Sequence, residues 1–345
     1  MAIPDDDLDL LGISEGTDKN SLFNDYLRHY EFRFRPFRLE PINLIEIGIG
    51  AGNSLAMWRR YFPNATIIGV DIDTGLVDAA RRLLGDSVQV EIGSQDDPAF
   101  LSDLCSRFPP MIVIDDGSHF ARHMLFTFRH VFPFLLPGGW YVIEDLWIAM
   151  GMDELPLTPH RYLADIAASN VAFKRHDDAS DPLRSLVEAV EFVPGMAFVR
   201  RHDPETRLRR LLAAVPAAER SAHASNLAWL AEAIMNHSGP LDVAETAARR
   251  AVARRDDFAS YQSSLSVVLD RQGKTDEALA RAKSAVDLDP ATLFWRERYW
   301  KLLAKMGRRD DVRAAIDAAM RAVEPGYSGF LMGERRRLCG DEPSE

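Results

Sequence analysis

Cysteine is nearly absent. The 345 residues hold two, Cys105 and Cys339, which lack the spacing of a metal site or disulfide framework and read as inert thiols in a reducing compartment. No stretch approaches the roughly 20 uninterrupted apolar residues that a bilayer-spanning helix needs, so no membrane span is expected. The segment Met1-Ala2-Ile3-Pro4-Asp5-Asp6-Asp7 is acidic where a secretory leader is basic and then apolar, and the expected location is cytoplasmic. Basic charge is also in deficit: 41 Lys and Arg against 52 Asp and Glu leave a formal net charge of -11. That balance works against phosphate backbones and anionic surfaces, so nucleic acid is not expected as a partner. With 47% apolar residues the chain has the composition of a folded protein and the length of two domains.

From Asn43 onward, short apolar runs alternate with amphipathic stretches, the pattern of a parallel sheet covered on both faces by helices. The expected strands are Leu44–Ile47, Thr66–Val70, Val88–Ile92, Met111–Ile114 and Trp140–Ile143, with two more near Ala189–Val193 and Met196–Arg200. Pro194-Gly195 between the last pair signals a turn and a terminal antiparallel hairpin. The expected fold is α/β, and seven strands with that ending resemble the Rossmann-like sheet of class I methyltransferases. Beyond Asp203 strand signals stop and helical spacing takes over. Gly239, Gly273 and Gly307 are 34 residues apart, as are Ala251, Ala285 and Ala319, and 34 is the tetratricopeptide period. An all-α tetratricopeptide-like repeat domain follows, with Pro290 at the break between copies and Val312 where Ala244 and Ala278 stand in the earlier ones.

Strand Leu44–Ile47 runs straight into Gly48-Ile49-Gly50-Ala51-Gly52, and a helix is expected from Ser54. Glycines let backbone approach a ligand, and the helix amino terminus offers free N–H groups. Asp71 ends the next strand, where a carboxylate can accept from both ribose hydroxyls. A dinucleotide fingerprint would need glycine at position 53, which is Asn53, and Glu46 precedes the first glycine. Both features favour S-adenosylmethionine over NAD. The E-x-G-x-G-x-G pattern resembles motif I of class I methyltransferases, which implies Glu46, Gly48, Gly50, Gly52 and Asp71 as cofactor residues, with Ser94 and Gln95 near the adenine and Asp115 as a further cofactor residue.

The densest chemistry is Asp115-Asp116-Gly117-Ser118-His119 after the fourth strand and Glu144-Asp145 after the fifth. Acids at strand ends also cap helices. Four of them with a histidine on adjacent strand ends form a cluster of like charge that calls for a cation. Oxygen donors favour magnesium or calcium, and carboxylates with open positions favour Mg²⁺.

GTDK at Gly16–Lys19, the segment through Tyr30, IEIGIGAGNSLAMWRRYFPNATIIGVDI, IDDGSH and PGGWYVIED together resemble the metal-dependent sugar O-methyltransferases of macrolide biosynthesis, over about residues 10–202. The resemblance implies that Asp116, Glu144 and Asp145 hold Mg²⁺ together with two neighbouring sugar hydroxyls, and that His119 is the general base, with Asp116 and His119 as the catalytic pair. The acceptor is then a small molecule or glycan, and the stretch Trp147–Arg175, Phe173 included, lines its pocket. Two features depart from the pattern: the carboxyl-terminal repeats, and Ser94 where Asp is usual. The expected organisation is a helical cover over 1–40, the catalytic domain over 41–202, a helical linker over 203–224, repeats over 225–325 and a tail over 326–345. The repeats would recruit a protein partner or hold the acceptor, and a homo-oligomer is compatible with the reading. Two other readings stand beside it: a metal-dependent methyltransferase acting on catechol-like acceptors, and a repeat-based interaction protein with an inactive methyltransferase domain.

Overall fold

The computed structural model describes residues 6–152, 157–171, 181–322 and 325–339 and divides the chain into two compact units, Met1–Asp203 and Pro204–Glu345. In the first, α1 (Leu8–Glu15) and α2 (Leu27–Phe34) precede β1 (Asn43–Ile47). Then α3 (Asn53–Tyr61) leads to β2 (Thr66–Asp71), α4 (Thr74–Leu84) to β3 (Gln89–Ile92), α5 (Pro98–Arg107) to β4 (Ile112–Asp115) and α6 (Ala121–Val131) to β5 (Trp140–Ile143). After α7 (Leu146–Met152), α8 (Pro159–Val171) and the single turn α9 (Leu183–Leu186), the hairpin β6 (Val187–Val193) and β7 (Met196–Arg201) closes the sheet. All seven expected strands form, within two residues of the expected ends.

The sheet order is β3-β2-β1-β4-β5-β7-β6. Strands β1 to β5 are parallel, and β7 runs antiparallel to both of its neighbours. The direction of winding reverses between β1 and β4, which opens a crevice at the carboxyl ends of these two strands. Side chains alternate between two cores, as the pleat requires. Ile45, Ile47, Val113, Tyr141 and Ile143 bury one face against α5, α6 and α8. Leu44, Ile112, Ile114, Trp140 and Val142 bury the other against α1 to α4. Helix starts are set locally: Asp73 and Asp97 each accept two backbone N–H bonds at the first turns of α4 and α5, satisfying donors that have no intrahelical partner.

The second unit is a series of helical hairpins: α10 (Pro204–Arg220), α11 (Ala224–Asn236), α12 (Leu241–Arg254), α13 (Ala259–Arg271), α14 (Thr275–Leu288), α15 (Leu293–Lys305), α16 (Arg309–Ala322) and α17 (Ser328–Cys339). Helices α12, α14 and α16 start 34 residues apart. Ala244, Ala278 and Val312, and Ala251, Ala285 and Ala319, are all fully buried, so the small residues of the repeat do seat adjacent helices. One detail departs from the sequence register. In the second and third copies the left-handed turn residue is Gly273 (φ +78) and Gly307 (φ +73), but in the first it is Ser238 (φ +54). Gly239 instead donates to Ile234 O, as Lys274 does to Leu269 O and Arg308 to Leu303 O. Helix α11 therefore ends one residue earlier in the repeat than α13 and α15, and its connection to the next helix is one residue longer. Residues 203–224, expected as a linker, include α10, whose Leu211, Leu212 and Val215 pack against this core. The expected tail contains α17, with Leu331 and Cys339 buried.

Candidate functional site

The site forms one residue beyond the ends of three adjacent strands. Ile47 pairs with Asp115 and Asp115 with Ile143, so Gly48, Asp116 and Glu144 follow side by side, about 4.8 Å apart per strand. Backbone bonds continue the ladder into the loops: Asp116 N donates to Ile47 O (2.9 Å) and Glu144 N to Asp115 O (3.0 Å). Gly48 has φ +83, and a Cβ there would lie 2.0 Å from Asp116 O. Only glycine permits this approach of loop to loop. Gly50 (φ +49) has nothing within 4 Å of its ideal Cβ, which leaves open space over the loop where a ligand can lie. Gly52 (φ +92) caps α3.

Of the remaining expected cofactor residues, Asp71 ends β2 and ties the loop down, its carboxylate accepting from Ile49 N (3.1 Å) and Asp73 N (2.9 Å). Glu46 is fully buried; one oxygen accepts from Ser54 Oγ (2.9 Å), and Oε1 makes no hydrogen bond while lying 3.5 Å from Lys19 Nζ. Burial pushes its carboxyl up to about 7. Asp115 and Gln95 lie beneath the site: Gln95 Nε2 donates to Asp115 Oδ1 (3.0 Å) and Thr127 Oγ1 (3.1 Å), Tyr141 Oη donates to Asp115 Oδ2 (3.1 Å), and Gln95 Oε1 accepts from Ser118 N (2.6 Å). This network braces the loop that carries Asp116 and His119. Ser94 Oγ donates to Asp96 at the rim.

The acids separate into two groups. Asp116, His119 and Asp145 each offer a ligand atom, and these atoms lie within 4.8 Å of one another. His119 Nε2 is 4.0 Å from Asp116 Oδ1 and 3.9 Å from Asp145 Oδ2, and its Nδ1 is buried without a hydrogen-bond partner. Both His119 (φ +59) and Asp145 (φ +52) take left-handed backbone, an uncommon conformation that concentrates at functional sites. Glu144 is turned inward. Its Oε2 accepts from Lys19 Nζ (2.8 Å) and its Oε1 from Tyr30 Oη, and burial together with the charge of Asp116 pushes its carboxyl up to about 8.

Sequence reasoning named no role for the three residues that organise these acids. Lys19, 1% exposed, bonds Asp116 Oδ2 (2.6 Å) as well as Glu144. Burial pulls its pKa down, but the charges of Glu144, Asp116 and Glu46 more than offset this and keep it a cation. Tyr26 and Tyr30, at the start of α2 and one turn along it, donate to Asp145 Oδ1 (2.7 Å) and to Glu144. Their signal was a tyrosine pair at i, i+4 after the GTDK run, which places both hydroxyls on one side. Trp147, 64% exposed, donates from Nε1 to Asp145 Oδ1 (3.3 Å) and stands at the rim. Of the expected acceptor stretch, residues 153–156 and 172–175, with Phe173, lie outside the described residues.

No family model matches the chain. Among curated proteins it is 41% identical to demethylmacrocin O-methyltransferase of Streptomyces fradiae, over 35% of this chain and 31% of that protein. It is 34% identical to 8-demethyl-8-alpha-L-rhamnosyl tetracenomycin-C 2'-O-methyltransferase of Streptomyces olivaceus, over 58% of this chain and 57% of that one. The chain thus spans from about a third to about three fifths of the length of these relatives. Among solved structures, the MycE methyltransferase from the mycinamycin biosynthetic pathway, in complex with Mg, SAH and mycinamycin VI, superposes with a TM-score of 0.52 at 29% identity, covering 58% of this chain and 54% of that one. The seven-stranded sheet is therefore a class I methyltransferase sheet, and in sequence and in fold the chain is similar to the sugar O-methyltransferases whose motifs it carries.

Proposed function

We propose that this protein is an S-adenosylmethionine-dependent O-methyltransferase that uses a divalent cation, Mg²⁺ by its donor chemistry, to methylate a hydroxyl of a sugar or glycosylated small molecule in the cytoplasm. The observation that carries this reading is the convergence of Asp116, His119 and Asp145 at the mouth of the β1/β4 crevice, beside a glycine loop that leaves room for a cofactor.

The residues fit a hard cation. Among the described residues, hydrogen bonds reach Asp116 at Oδ2 and Asp145 at Oδ1, which leaves Asp116 Oδ1 and Asp145 Oδ2 to hold the ion. Glu144, the third acid of the set, has each oxygen engaged once, by Lys19 and by Tyr30, and enters by sharing a lone pair, since each carboxylate oxygen accepts more than one bond. Such an ion lowers the pKa of a hydroxyl bound to it and orients it. The rest falls to the protein. The Gly48–Gly52 loop and Asp71 hold the cofactor, Glu46 supplies an acceptor at the loop's base, and Lys19, Tyr26 and Tyr30 fix the acids. His119 Nε2 takes the proton of the acceptor hydroxyl while its oxygen attacks the methyl carbon and the carbon–sulfur bond breaks, leaving the neutral thioether. Trp147 offers an apolar face to the acceptor.

Titration calorimetry with S-adenosylmethionine, with and without Mg²⁺, tests the reading first: binding in neither condition would leave the interaction-protein alternative. Mass spectrometry after incubation with labelled cofactor then separates acceptors. Methylation of a sugar-bearing acceptor is expected, and transfer only to a catechol would favour the other enzyme.

A further inference from the structure

The second unit contains a cavity of about 360 Å³ between α14, α15 and α16, lined by Lys283, Val286, Asp287, Pro290, Arg296, Tyr299, Trp300, Ala315 and Ala318. Its position is explained by comparing successive repeats. In the preceding copy the residue equivalent to Arg296 is Gln262, 34 positions earlier. Gln262 Nε2 donates to Asp256 O (3.0 Å), and Arg296 Nε donates to Pro290 O (2.7 Å). The two bonds are the same structural cap, and an amide is sufficient to make it. Above Gln262 lies the Arg281 side chain, whose Nη1 donates to Gln262 Oε1 (3.2 Å). In the next copy that position is Ala315. The pair Gln262 and Arg281 has become Arg296 and Ala315, so the charge has moved to the floor and the space above it has emptied.

Arg296 is 8% exposed and lines the cavity, and its two Nη groups have no partner among the described residues. The other charges at the cavity cancel, since Lys283 Nζ holds both oxygens of Asp287 (2.9 and 2.7 Å). A guanidinium that opens on the cavity without a counter-anion matches a carboxylate in geometry. Val286, Pro290, Trp300, Ala315 and Ala318 supply apolar walls.

We propose that this cavity is a binding site for a carboxylate carried on an apolar body of side-chain size, with Arg296 as its anchor. The test uses the full chain and calorimetric titration with two probes, 3-phenylpropanoate for a free acid and acetyl-Ala-Leu for a polypeptide carboxyl terminus, each beside its neutral amide. Saturable binding of at least one acid is expected, and the tighter arm identifies the source. R296Q restores the residue of the preceding copy and keeps the cap, so its thermal unfolding should match the parent while affinity falls about ten- to a hundredfold, the worth of a charge-assisted bond. If R296Q does not fold, A315L fills the space with Arg296 intact and should abolish binding. The proposal is overturned if neither acid binds saturably, if the amides bind as well as the acids, or if the folded variant binds like the parent.

Discussion

Replacing Lys19 with methionine tests the charge arrangement at the site most directly. The ammonium lies 2.6 Å from Asp116, 2.8 Å from Glu144 and 3.5 Å from Glu46. Methionine keeps the stem's volume and removes only the charge and its donors. Breaking a buried ion pair from one side costs about 3–5 kcal/mol, a large part of the ~5–15 kcal/mol that holds a domain together. The protein can lessen this by protonating the orphaned acids, because burial already holds Glu46 at about 7 and Glu144 at about 8. The penalty of K19M is therefore expected to be smallest below about pH 7, where both acids are protonated with or without the lysine, and to grow toward 3–5 kcal/mol as pH rises through 8, by up to about 1.4 kcal/mol per pH unit for each acid ionised in the parent and protonated in the variant. Hydrogen exchange of β1 and β4 peptides in the intact chain reads this locally, without assuming that both units unfold together. Magnesium should stabilise K19M more than the parent, since it replaces the missing positive charge. A variant that keeps parental protection at pH 8, or that loses the same amount at every pH, would refute the reasoning.

H119A should retain cofactor binding by calorimetry and lose about 10²- to 10⁴-fold in turnover, the usual worth of a general base; unchanged turnover removes His119 from that role. G48A places a Cβ 2.0 Å from Asp116 O and should abolish the magnesium response by displacing the β4 loop, whereas G50A meets nothing and should cost only about 1 kcal/mol of backbone strain, both read by melting with and without Mg²⁺. The metal-free protein should lose stability as pH rises from about 5 to 8. Glu46, Asp115 and Glu144 are held at about 7, 7 and 8, above their unfolded values, so the folded state binds more protons in that window and the slope of ΔG against pH is negative. Thermal melts across that range check the sign. Mg²⁺ binding near pH 7 should accordingly release protons, seen as a dependence of titration heat on the buffer's ionisation enthalpy.

Much of this protein could be read without coordinates. The apolar runs located all seven strands because each carries its own local apolar pattern, and the Ala-Leu spacing beyond Asp203 located the hairpins for the same reason. Strand-end placement brought Asp116, His119 and Asp145 to one side of the sheet, since adjacent parallel strands put their carboxyl ends next to each other. The left-handed turn at Ser238 was not legible, because the aligned glycine beside it suited the same register. Nor was the difference between Glu144 and Asp145. These are consecutive residues of one kind, and only the packing of α2 and the GTDK turn over the sheet decides that one faces Lys19 and Tyr30 while the other faces His119. Lys19 carries the same lesson: a lysine in that early segment reads as solvated until the fold brings it against Asp116, 97 positions along the chain. The sequence by itself determined the sheet, the glycine loop and the acids at its edge, because those follow from local periodicity and backbone chemistry. Tertiary structure alone decided which acids stay open and which are neutralised, because charge pairing depends on contacts between segments far apart along the chain.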